Sequence, residues 1–226
     1  MDNFKKRYEL LTGYFAIFML SIFIITIILS VSLSPWFNLK ENYLSDIAGI
    51  VGERPIWSAR GPESIIFNIG IILTGISGML FTFSLSKSIK KNMHNEFSNL
   101  LLYTEMFTLS ATGIFPVTLG RIHVWSSFIL FSLIPIVIIL YGYSLSKKFG
   151  KNWLCISVFF TAISLFSVII FVFNNSRSLS EIIALVSMIT FFSFIGFKIL
   201  NNQMEYNYSI KVYKRMISMI IIKFKL

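Results

Sequence analysis

Six long apolar runs separated by shorter polar stretches order the chain: Gly13 to Leu33, Ser64 to Leu85, Leu100 to Pro116, His123 to Ser144, Trp153 to Phe173 and Glu181 to Leu200. Each run is continuous rather than alternating, which excludes the strands of a membrane barrel. At about 1.5 Å rise per residue, a run of roughly 20 residues matches a hydrocarbon core of about 30 Å. No water is available in that core, so each backbone must satisfy itself and each run is expected to be a helix. The pattern predicts an all-α polytopic membrane bundle of six transmembrane helices. Lys5, Lys6 and Arg7 ahead of the first run resemble the start of a signal peptide. The run is too long for one and Ser32-Leu33-Ser34-Pro35 is a poor cleavage site, so it is read as a retained span.

Two segments depart from the six-run pattern. The connection from Ser34 to Glu63 is long for a compact domain and is expected to hold structure of its own, as a lid over one end of the bundle. Asn42 or Ser45 is placed to cap a short helix with Leu44, Ile47, Ala48 and Val51 on one side, broken by Gly49, Gly52 and Pro55. Trp36 and Trp57 suit the headgroup level. Beyond the last run, Lys211, Lys214, Arg215 and Lys225 share one helical arc, with Ile210, Tyr213, Met216, Ile217, Ile220 and Phe224 on the other and Lys223 the exception. That segregation predicts a C-terminal cytoplasmic interfacial amphipathic helix. The expected division is residues 1–203 as the six-span domain and 204–226 as the basic tail.

Composition agrees and removes alternatives. The 226 residues are 55% hydrophobic and 13% charged, with mean hydropathy +0.76, whereas a soluble domain carries about 25% charged residues. The net charge of +10 raises nucleic acid as a partner until the charges are placed. Fifteen of the 20 Lys and Arg residues lie in the amino terminus, the second and fourth connections and the tail; Lys40, Arg54, Arg60, Arg121 and Arg177 lie on the other side. That imbalance is a topology signal placing both termini in the cytoplasm, with the protein in the cell membrane, and leaves no clustered face for nucleic acid.

Chemistry is sparse. There is no phosphate loop, dinucleotide fingerprint, H-E-x-x-H or G-x-S-x-G, so no cofactor and no metal site is expected. The one cysteine, Cys155, is expected to be a small buried hydrophobe, and His94 a solvated residue in a lysine-rich loop. In the second run Gly70, Thr74 and Gly78 form a stripe suited to close helix packing. In the third, Glu105, Thr108 and Thr112 share a face; Glu105 is expected either to reach water or the lysines of the preceding loop, or to serve a pathway through the membrane.

What remains is a polar set on the outward side. Asp46, His123 and Ser127 are the catalytic candidates: a histidine beside a carboxylate suits a general base, and a serine one turn away suits a nucleophile. Asn68, Arg121, Arg177 and Glu181 are the ligand-binding candidates. The competing reading is a polar rim that anchors helix ends.

Leu44-Ser45-Asp46-Ile47-Ala48-Gly49, then Phe67-Asn68-Ile69-Gly70, then Gly113-Ile114-Phe115-Pro116 followed by Gly120, His123 and Ser127, resemble the six-span bacterial and archaeal membrane proteins grouped as "domain of unknown function 998". The resemblance covers roughly Gly13 to Leu200, with Ala48 where leucine is expected. It implies six helices and an outward cluster of Asp46, Asn68 and His123, and it implies no activity. Two function classes follow. One is an outward polar pocket that binds or processes a lipid or other amphiphile; the other is a non-catalytic structural or accessory subunit, with membrane lipids and other membrane subunits as partners. Whether the chain is an enzyme is left open by the residues.

Overall fold

A computed structural model of the protein describes residues 2–49, 61–89, 92–173 and 177–223, with side-chain surroundings from residue 4 to residue 202 within them. Val51, Gly52, Glu53, Arg54, Pro55, Trp57 and Arg60 of the expected lid, Lys90 and Lys91, and the side chains of the tail lie outside the described residues.

The described backbone holds six α-helices: α1 (Asp2–Ser32), α2 (Pro62–Ser88), α3 (Met93–Ile114), α4 (Arg121–Phe149), α5 (Asn152–Phe173) and α6 (Arg177–Lys223). Two short 3-10 helices join them, η1 (Leu44–Ala48) and η2 (Val117–Leu119). All but α3 are long and apolar enough to cross a membrane. With 22 residues α3 has the length, about 33 Å at the helical rise, but His94, Asn95, Glu96, Asn99 and Glu105 dilute its apolar character. The chain is therefore a polytopic helical membrane protein. α6 runs past Asn202 to Lys223 without a break, so the tail continues the helix of the last apolar run.

Each α-helix packs on the next in chain order and α6 packs back on α1, closing a ring of six. The short connections that follow α2, α3, α4 and α5 make those neighbours antiparallel. Gly70 faces Thr26 of α1, Gly75 faces the Met106 carbonyl and Ser110 of α3, and Gly142 of α4 faces Ser157 of α5. Lipid offers no hydrophobic drive for helix association, so close approach at small residues supplies the packing. The expected stripe of Gly70, Thr74 and Gly78 does this on two sides, since Gly78 lies against both Met19 of α1 and Met106 of α3. Inside the ring Phe81, Tyr141, Phe191 and Phe192 interlock edge to face, with Phe192 5.9 Å from Phe81 and 5.5 Å from Tyr141.

The two ends of the ring differ. One carries η1 and η2; the other carries Lys87 in the last turn of α2 and Lys147 and Lys148 in the last turn of α4, and is called the basic end below. There Lys148 of α4 pairs with Glu9 of α1 at 3.8 Å. A single partly exposed pair of this kind is worth about 1 kcal/mol or less. Lys148→Ala should accordingly move the thermal unfolding midpoint little in detergent; a large drop would show that this pair holds the ring closed.

Three expectations change at this level. His94 is not a solvated loop residue: α3 starts at Met93, so its ring packs 5.1 Å from Tyr143 and its Nε2 lies 3.3 Å from the Leu140 carbonyl. Cys155 is exposed rather than buried, on the flank of α5 that also exposes Leu154, Val158 and Phe159. An all-apolar helix gives no clue to which side faces its neighbours. Glu105 does not reach water: three turns into α3, it points into the interior, is 0% exposed and has no hydrogen-bond partner among the described residues.

Candidate functional site

The polar candidates gather around η1. After α1 the chain turns through residues 34–42, held by Asn38 N–H donating to the Asn42 side-chain oxygen at 2.8 Å and Ser34 Oγ donating to the Ser30 carbonyl at 2.8 Å. It then enters η1, whose Leu44, Ile47 and Ala48 are buried in the end of the bundle. The cap is neither Asn42 nor Ser45: Asp46 Oδ2 accepts the Tyr43 N–H at 2.7 Å. Gly49 ends the element at φ 148°, a conformation only glycine adopts readily.

The first two turns of α6 fasten this segment from one side. Glu181 accepts the Leu44 N–H at 2.7 Å and the Ser45 N–H at 3.3 Å, and lies 3.5 Å from Ser45 Oγ. Those are leading N–H groups of a short helix, which have no partner of their own. Ser178 donates its N–H to the Asn42 carbonyl and its hydroxyl to the Leu39 carbonyl at 2.6 Å. Arg177 lies over the Tyr43 ring at 4.9 Å. From the opposite side Asn68 of α2, fully buried, donates Nδ2 to the Ala48 carbonyl at 3.4 Å and leaves Oδ1 without a partner among the described residues.

His123 belongs to the first turn of α4, which Gly120 starts at φ 57° after the η2 turn. Its Nδ1 lies 2.8 Å from the Phe115 carbonyl, and the Thr112 carbonyl also faces the ring. A carbonyl only accepts, so Nδ1 carries the hydrogen and Nε2 of the neutral ring is the acceptor. Ser127 Oγ stands 3.3 Å from Nε2 and donates to it. The histidine is thus an oriented base with a hydroxyl at its free nitrogen. Ser126 is spent on the backbone, donating to the Ile122 and His123 carbonyls.

His123 and Ser127 open on a cavity of about 30 Å³, room for a water molecule. Ser45, Thr112 and Glu181 complete its polar lining, and Phe67, Leu130 and Phe131 supply part of its apolar wall. Five elements, η1, α2, α3, α4 and α6, meet there.

The predicted residues divide accordingly. His123, Ser127 and Glu181 share the cavity. Asp46 and Asn68 touch the two ends of η1 rather than the cavity, although the Asp46 charge lies within electrostatic range of both His123 and Glu181. Arg121 is exposed at the start of α4, and Arg177 is engaged with Tyr43. The aromatic wall belongs to the cavity without having been singled out for it, because apolar side chains in apolar runs carry no distinguishing signal, and Thr112 stands out in the sequence only as sharing a face with Glu105.

The family model described as "Protein of unknown function (DUF998)" matches residues 19–198. Comparison with curated proteins and with solved structures found no match.

Proposed function

The chain belongs to this DUF998 family, and from that premise we propose that it is a multi-pass protein of the cell membrane whose η1 end binds or processes the polar part of a lipid or other amphiphile. In this reading α3 is the sixth span, both termini are cytoplasmic and η1 faces outward, supported by the lysine-rich basic end. The observation that carries the reading is the His123–Ser127 pair, 3.3 Å apart and facing the small cavity. A cavity of about 30 Å³ admits a polar atom and not an acyl chain, so the tail stays in the bilayer, against the flank of α4 that exposes Val124, Trp125 and Phe128. Ser127 is then the candidate nucleophile, His123 its base, and the Phe115 carbonyl the group that orients the base.

A second reading, a non-catalytic accessory subunit, draws on a different observation: Asp46, Asn68, Ser178 and Glu181 spend their hydrogen bonds on backbone atoms of residues 39–48. Lipid extraction and native mass spectrometry of the purified protein separate the two. The pocket reading expects retained lipid, reduced about three- to tenfold by His123→Ala or Ser127→Ala, the worth of one hydrogen bond. Unchanged lipid in both variants, together with a stoichiometric protein partner, would favour the accessory subunit.

A further inference from the structure

Glu105 is a carboxyl with nothing to balance it. It is 0% exposed, and neither side-chain oxygen has a hydrogen-bond partner among the described residues. The surrounding helices bring no counter-charge. No Asp, Glu, Lys, Arg or His occurs between Glu9 and Lys40, between Glu63 and Lys87, between His123 and Lys147, between Lys151 and Arg177, or between Glu181 and Lys198. The titratable side chains facing this region are phenols: Tyr141 of α4 is within electrostatic range of Glu105 and of Tyr103, which shares α3 with it. Tyr14, Tyr143 and Cys155 are exposed on the outside of the ring.

A bare carboxylate in such a place costs several kcal/mol, so a cation must accompany it. A metal ion would need several oxygen ligands converging on it. Glu105 has no polar neighbour at bonding distance to help form that shell, and no group of three or more His, Cys, Asp or Glu able to hold a metal exists among the described residues. A proton needs only the carboxyl oxygen.

A polar route leads toward it from one side. A cleft of about 320 Å³ at the basic end is lined by Lys87, Asn95, Glu96, Asn99 and Tyr103. Asn99 at its wall accepts a hydrogen bond from the Tyr141 hydroxyl. Tyr141 thus touches the cleft wall and lies within electrostatic range of Glu105.

We propose that Glu105 is a reversible proton-binding site in the interior of the bundle, loaded from the basic-end cleft past Asn99 and the Tyr141 hydroxyl. In the loading step a hydronium ion entering the cleft from bulk solvent breaks one O–H bond and becomes water, one Glu105 oxygen gains the proton as a new O–H bond, and the site changes from charge −1 to neutral. The proposal does not depend on the reading of the His123 cavity at the other end of the molecule.

Infrared spectroscopy of the full chain in lipid nanodiscs tests it. The expected spectrum at neutral pH contains a protonated-carboxyl C=O band that disappears in the near-isosteric Glu105→Gln. Transfer to deuterated water should shift that band, and Tyr141→Phe should slow the shift by about a hundredfold, the low end of what a positioned proton donor contributes. If Glu105→Gln does not fold, labelling of the wild-type protein by an apolar carbodiimide, mapped by peptide mass, reports the same protonated carboxyl. Absence of the band, or of carbodiimide adduct on Glu105, overturns the site. Equal exchange rates in wild type and Tyr141→Phe overturn the route.

Discussion

Replacing Glu181 with alanine is expected to destabilise the folded protein by about 3 kcal/mol, because two buried hydrogen bonds disappear and their backbone donors are left without partners. The donors are the N–H groups of Leu44 and Ser45 at the head of η1, and they point at the Glu181 carboxylate from 2.7 and 3.3 Å. Nothing else described accepts from them. The loss should release η1 as a unit, since Leu44, Ile47 and Ala48 are buried only while that end is pinned. Glu181→Gln keeps an acceptor oxygen and should cost about 1 kcal/mol. Thermal unfolding in detergent, followed by tryptophan fluorescence, measures both. Equal midpoints for wild type and Glu181→Ala would show that burial alone holds η1 in place.

A leucine at Gly75 should be more damaging still, with a loss of about 3 kcal/mol or more. A Cβ at that position would stand 2.6 Å from the Met106 carbonyl oxygen and 2.7 Å from the Ser110 backbone nitrogen. Both belong to the backbone of α3, so no side chain can rotate away and the two helices must separate. Separation would also shift Thr112 at the cavity and Glu105 in the interior, both carried by α3. Gly120 is the contrasting case, with φ 57° and open space around it. Its replacement by alanine meets only backbone strain, about 1–2 kcal/mol. Size-exclusion profiles and unfolding midpoints should therefore rank Gly75→Leu well below Gly120→Ala. The reverse ranking would mean that α2 and α3 have slack at their seam.

The helices and their order could be read from the sequence because the constraint is local. A backbone in hydrocarbon must bond to itself whatever its neighbours are, so each apolar run becomes a helix. Helix ends were less accessible. α1 starts at Asp2 and α3 at Met93, well before their apolar runs, because a helix once started continues into polar sequence that has no glycine or proline to stop it. The short element in the first long connection was also readable, from Leu44, Ile47 and Ala48 ahead of Gly49.

Which side chains meet was decided by the tertiary structure. Glu181 and Leu44 are 137 positions apart, and nothing in either local stretch specifies the other. The pairing of His123 with Ser127 could be anticipated from one helical turn, but not the Phe115 carbonyl that sets its tautomer or the cavity it faces. Glu105 and Cys155 show the physical cause most directly. In a soluble helix the polar stripe reveals which side faces outward, but here lipid and bundle interior are about equally apolar. Glu105 therefore turned inward and Cys155 outward with no contrast in their flanking residues to announce it. The rotations of the helices were settled by close contacts at Gly13, Gly70, Gly75, Gly142 and Gly196 as the ring closed, because packing at small residues is the force that distinguishes one helix face from another in lipid.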